Sequence, residues 1–115
     1  MVIPTIRRIA HLNDAFRSGD PSVPGQRFVT AGVVHLLNQL DIPVETLIQR
    51  VAQFDDFTDD TDPHAEHDFG AFEFHSEKIF WKIDAYDQDY SMGSDDPTDL
   101  SRTKRVLTIM LAEEW

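Results

Sequence analysis

The stretch Asp62-Pro63-His64-Ala65-Glu66-His67-Asp68 brings two imidazoles and three carboxylates together. Side chains of these types hold zinc, manganese or iron, and a divalent metal with one coordination position left to water turns that water into a nucleophile near neutral pH. In that chemistry His64 and His67 are ligands, Asp62 or Asp68 is the third ligand, and Glu66 is the catalytic base, giving a metal-dependent hydrolase. Pro63 narrows the conformations of the loop that would hold them. The spacing departs from HExxH, in which two histidines one helical turn apart face the same way. A second account makes a weaker demand on geometry. Asp62 turns or caps the segment, His64 stays in water, and His67 or Asp68 hydrogen-bonds the loop to the strand that follows.

Further carboxylates surround this stretch. Asp55, Asp56, Asp59 and Asp60 precede it, but the central glycine and terminal glutamate that an EF-hand calcium loop needs are missing, so a solvated acidic loop is expected. Asp84, Asp87 and Asp89 lie beside Tyr86 and Tyr90. They would work as acid and base only if burial raised one of their pKa values, and a hydrated loop is the simpler reading. Gly25 and Gly32 belong to no phosphate-binding fingerprint, and the serines lie in no nucleophile elbow. The chain has no cysteine, which removes disulfides, thiolate nucleophiles and thiolate metal sites.

Charge is concentrated in the same region. The 115 residues carry a net charge of −11, and the segment 51–101 holds fifteen acidic but only two basic side chains. Such a surface repels nucleic-acid backbone and anionic membrane unless cations or a local basic patch intervene. It complements a basic protein. The expected binding surface is therefore Asp55, Asp56, Asp59, Asp60, Asp84 and Asp87, and the leading function is an acidic protein-binding or accessory domain that masks a basic partner, with the hydrolase as alternative. No apolar run is long enough to span a membrane, and the N-terminus lacks a secretory cleavage pattern, so a cytoplasmic location is expected.

These residues need a scaffold. After Pro4, Ile6, Ile9, Asn13 and Phe16 recur at helical spacing while Arg7, Arg8, Asp14 and Arg17 face water, which predicts a first helix. Turn residues from Ser18 to Gly25 end it. Phe28-Val29-Thr30 reads as a strand followed by a turn at Gly32, and Val33 to Leu40 as a helical turn or two. Asp41-Ile42-Pro43 is expected to start the next helix, with Val44, Leu47, Ile48, Val51 and Phe54 as its apolar stripe. Residues 68–74 and 78–84 alternate as two strands of a hairpin around His75-Ser76-Glu77. Phe72 and Phe74 share one face of the first, and Ile79, Trp81 and Ile83 one face of the second. Residues 91–101 are a loop. Arg105 to Leu111 is a strand, with a helix as runner-up. Gly70 permits close backbone approach or a bulge. Trp81 and the phenylalanines are core candidates, and Trp115 seals the core edge or meets a partner. The architecture expected is a single α+β domain spanning 1–115, with two or three helices packed on a small antiparallel sheet around that central hairpin.

The words FDDFTDDTDPHAEHDFGAFEF, IFWKIDAYDQDYSMGSDDP and RTKRVLTIMLAEEW, in this order, resemble a bacterial domain family of unknown function, DUF3768. The resemblance runs from LNDAFR through TAGV at residues 30–33 to the C-terminus. It implies a small stand-alone bacterial protein and carries no catalytic assignment with it.

Overall fold

The computed structural model describes residues 5–115, and side chains from Arg7 onward; Pro4 and the Ile6 side chain, which entered the first predicted helix, lie outside them. Helix α1 spans Thr5–Arg17 and buries Ala10, Asn13, Phe16 and Arg17. Arg17 was expected in water, yet it is 5% exposed. Its guanidinium donates to the carbonyls of Val51 at 2.7 Å, Ala52 at 3.1 Å and Phe54 at 2.8 Å. A helix end leaves its last carbonyls without intrahelical partners, and a cation there also meets the negative end of the helix dipole. The same guanidinium lies 5.0 Å from the Trp81 ring and 5.4 Å from that of Phe57.

Strand β1 (Gly25–Val29) leads directly into helix α2 (Ala31–Leu40). The Gly32 turn expected between them is absent: Thr30 leaves the strand and caps the helix, and Gly32 sits in its first turn. Val33 and Leu37, one turn apart, are the buried residues of α2, so the continuous apolar run hides a helical period. Asp41 is also corrected. It closes α2 in the left-handed region at φ 55° rather than opening the next helix, with Ile42 N–H reaching back to the Leu37 carbonyl at 3.0 Å. Helix α3 (Val44–Ala52) starts after Pro43 and buries Leu47 and Val51. Phe54, predicted to close its stripe, lies beyond the helix but is buried at 6% exposure.

The hairpin forms as expected from β2 (Phe69–Phe74) and β3 (Glu77–Tyr86). His75 and Ser76 take φ 50° and 69°, so both central residues are left-handed, the backbone sense that follows strand twist in two-residue turns. Strand β4 (Lys104–Leu111) settles the strand-or-helix alternative and runs antiparallel to β3, with a single 3-10 turn at Ala112–Glu114 after it. The sheet order is β1-β4-β3-β2. Its three larger strands are antiparallel, while β1 joins the edge of β4 in parallel, which makes the sheet mixed.

One sheet face meets the helices. Phe72, Phe74, Ile79, Trp81, Ile83, Leu107 and Ile109 form one core with Phe16, Val33, Leu37, Leu47 and Val51, and Trp81 at its centre is fully buried. Gly70 is required there: a Cβ would run into the Trp81 indole and the Phe54 ring. No helix among the described residues is long and apolar enough to cross a membrane.

Candidate functional site

The long connection from α3 to β2 contains the chemical stretch, and its fold is organised by Asp62. The Asp62 side chain is turned inward and its carboxylate accepts the backbone N–H groups of Glu66 at 3.1 Å and His67 at 3.2 Å. An aspartate that reaches forward to later amides offers the backbone an alternative to regular structure. Ala65 and His67 accordingly sit at φ 53° and 55°, a region that non-glycine residues occupy only when the surroundings hold them there.

His67 is held on three sides. Its Nδ1 lies 2.9 and 3.0 Å from the two carboxylate oxygens of Asp14 on α1, and because a carboxylate only accepts, Nδ1 carries the proton in this bond. Its Nε2 lies 3.8 Å from Asp62 Oδ2. The ring stacks on Phe57 at 3.9 Å between centroids and 3° from parallel. Asp14 also accepts from Arg17 Nη2 at 3.0 Å. Beside it, Asn13 donates to the Glu66 carbonyl at 2.9 Å and accepts from the fully buried Arg105 at 2.7 Å. The loop is thereby tied to α1, and through α1 to α3 and β4.

The remaining members of the stretch diverge. His64 is exposed. Glu66 is half-buried, and burial first, then the Asp68 carboxylate and more weakly that of Asp62, push its carboxyl above the usual range, with His64 opposing them. Burial likewise raises Asp68, helped by Asp62 and Asp84 and opposed by its own backbone N–H and by His64. Asp68 faces a cleft of about 260 Å³ that it shares with Lys82, Asp84 and Trp115. His67 and Asp14 border a different cleft, of about 560 Å³, with Arg7 and His11. Among the described residues, no group of three or more histidines, aspartates and glutamates is arranged to hold a metal ion. Of the metal set Asp62, His64, His67 and Asp68, the structure brings Asp62 and His67 together, with Asp62 holding backbone amides and His67 Nδ1 bonded to Asp14.

The acidic surface divides in a similar way. Asp55, Asp56, Asp59 and Asp60 are exposed. Asp84 is half-buried and paired with Lys82 at 2.9 Å. Asp87 is committed to its own turn, accepting from the Ser91 N–H and hydroxyl, both at 3.0 Å, and from the Asp89 N–H at 3.1 Å. The Ser91 amide is the main cause that holds its carboxyl below the usual range.

Sequence reasoning overlooked Asp14, Arg17 and Arg105 as members of the network. It also overlooked a local signal. Asp20, Asp96 and Asp99 each bond a serine or threonine two positions later, and the words DPS, DPT and DLS record this in the sequence.

In comparison with known families, the family described as "Protein of unknown function (DUF3768)" matches residues 29–114. The match begins inside β1, so the LNDAFR stretch and all of α1 fall outside it. No curated protein and no solved structure matches the chain.

Proposed function

The chain belongs to the DUF3768 family of proteins of unknown function, and from its own surface we propose that it is an acidic protein-binding or accessory domain that masks a basic surface on a partner. The supporting observation is the division of labour within one loop. Asp62 turns inward and organises the backbone, while Asp55, Asp56, Asp59 and Asp60 stand exposed, and none of the four enters an ion pair among the described residues. Like charges held close together repel, and a basic partner relieves that repulsion. The loop is also pinned on both sides, at Phe54 by Arg17 and at His67 by Asp14. A surface ordered before binding loses less conformational entropy on association.

The test is binding of a labelled arginine-rich peptide to wild type, to D55N/D56N/D59N/D60N and to E45Q/E77Q/D95N/E113Q, which removes equal charge from exposed positions elsewhere. The loop variant is expected to bind about tenfold more weakly, on the scale of several exposed ion pairs, with the control close to wild type. Equal losses in both would reduce the interaction to net charge and sink the reading. The rival proposal, a metal-dependent hydrolase, needs a ligand shell; stoichiometric metal uptake abolished in H64A/H67A would revive it.

A further inference from the structure

The sheet has a second face, opposite the helices, and its composition differs from the rest of the molecule. Register defines it. Phe28, Thr108, Lys82 and Phe69 form one row across all four strands, and Phe80 lies between Ala71 and Met110 in the next. The chain's three lysines are Lys78, Lys82 and Lys104. Lys78 and Lys82 alternate with Phe80 along β3, and Lys104 pairs with Tyr86, so all three share this face. In a chain of net charge −11, every lysine is therefore gathered among aromatic rings on one surface.

Two of the rings stand outward, while Phe69 and Phe80 are half-buried. Trp115 is 67% exposed and Phe28 is 51% exposed. Trp115 is braced edge-on by Phe69 at 5.2 Å and Phe80 at 5.6 Å, which themselves meet at 5.3 Å. The C-terminal turn that carries it is fixed by Glu114, whose carboxylate accepts from the Thr30 hydroxyl at 2.6 Å and the Leu111 N–H at 2.9 Å. Lys78 Nζ lies 5.7 Å from the centre of the Phe80 ring.

We infer that this outer sheet face is a stacking platform for single-stranded nucleic acid, with bases on Phe28, Phe80 and Trp115 and phosphates on Lys78, Lys82 and Lys104. Each base offers a flat π-face to an aromatic side chain whatever its identity, and lysines set between the rings meet the backbone. A second copy of the chain fits the face less well. Four strands about 4.8 Å apart and about 20 Å long offer on the order of 400 Å². Stacking two such faces buries about 800 Å² in total, short of the roughly 1,200 Å² at which stable interfaces begin. The base faces of a duplex are stacked on one another and cannot reach the rings, so the platform selects single strands. Negative charge on the face itself also opposes a polyanion, since Glu73 stands opposite Lys78 in the register and Asp84 pairs with Lys82 at 2.9 Å, so affinity rests on stacking more than on charge.

The experiment measures fluorescence anisotropy of a labelled thymidylate dodecamer at low salt, with the corresponding duplex and inorganic polyphosphate as competitors, and light scattering to record the mass of the protein. Saturable binding by a monomer is expected, displaced by unlabelled single strand and poorly by duplex or polyphosphate. W115A and F28A, at exposed positions on separate elements, should each weaken it about tenfold. K78Q/K104Q should weaken it and flatten its salt dependence. The inference is overturned by absence of saturable binding, by polyphosphate competing as well as the strand, by both ring variants binding like wild type, or by a dimer that W115A dissociates.

Discussion

Arg17 of α1 and Phe54 beyond the end of α3 meet through a 2.8 Å hydrogen bond from guanidinium to carbonyl. The same Nη1 bonds the Val51 and Ala52 carbonyls, so one buried side chain finishes a helix thirty-odd positions away. Replacing it with methionine keeps most of the apolar stem and leaves the Ala52 and Phe54 carbonyls without a donor, while Val51 keeps the Phe54 N–H at 3.1 Å. Buried groups that lose a charged partner typically weaken stability by about 2–4 kcal/mol. R17M should show that loss in urea unfolding, and R17K should recover only part, because an ammonium lacks the planar fork that also reaches Asp14. A variant R17M as stable as wild type would contradict the capping role.

Nothing in the pattern around Arg17 distinguished it from Arg7 and Arg8, which are exposed. All three read as the wet side of α1, because a helical period assigns a residue to a face but not to the neighbour that face meets. Where alternation and period were strong, as at Phe72/Phe74, Ile79/Trp81/Ile83 and Leu47/Val51, side chains were placed correctly on the core from sequence. Asp41 failed for a different reason: the same residue type opens one helix and closes another, and only the left-handed φ of 55° decides. In the metal set, proximity in sequence does not fix direction, and Asp62 and His67 are the pair brought near each other. A left-handed residue at 65 and another at 67 turn successive side chains apart, and the partner of His67 lies 53 positions away at Asp14.

That partnership is testable by removing one side. Asp14→Ala leaves His67 Nδ1 without its acceptor and Arg17 Nη2 without its carboxylate, both in partly buried positions. A loss of about 1–3 kcal/mol is expected on chemical unfolding. The loop should also loosen, so amide exchange at residues 62–67 should accelerate in D14A relative to the sheet. Unchanged exchange there would mean that Asp62, Asn13 and the Phe57 stack hold the loop without Asp14.

Gly70 supplies a test of the core. Its Cα lies where a methyl group would overlap the Trp81 indole and the Phe54 ring. Gly70→Ala should destabilise by about 1–3 kcal/mol through overpacking, although alanine suits an extended strand better than glycine does. Thermal denaturation reads the sign directly: a more stable G70A would show that the indole has room to move.

The carboxyls give opposite pH dependences, and variants separate them. Glu66 and Asp68 are raised in the folded protein, burial being the main cause for both. For a raised carboxyl the folded state holds a proton that the unfolded chain has released, so stability falls as pH rises from the unfolded pKa, 4.5 for Glu66 and 3.8 for Asp68, through the folded value. Glu114 is lowered, chiefly by the Thr30 hydroxyl. Its contribution is complete above the unfolded value of 4.5 and disappears as pH falls through the folded one. Unfolding measured from acid to neutral pH should therefore show E66Q and D68N gaining on wild type as pH rises, and E114Q losing. The E114Q loss should come with release of the C-terminal turn, seen as a change in fluorescence from the exposed Trp115, because Trp81, the other tryptophan, is fully buried. If D68N instead lost stability at neutral pH, its ionised carboxylate would be making a favourable contact that outweighs its burial.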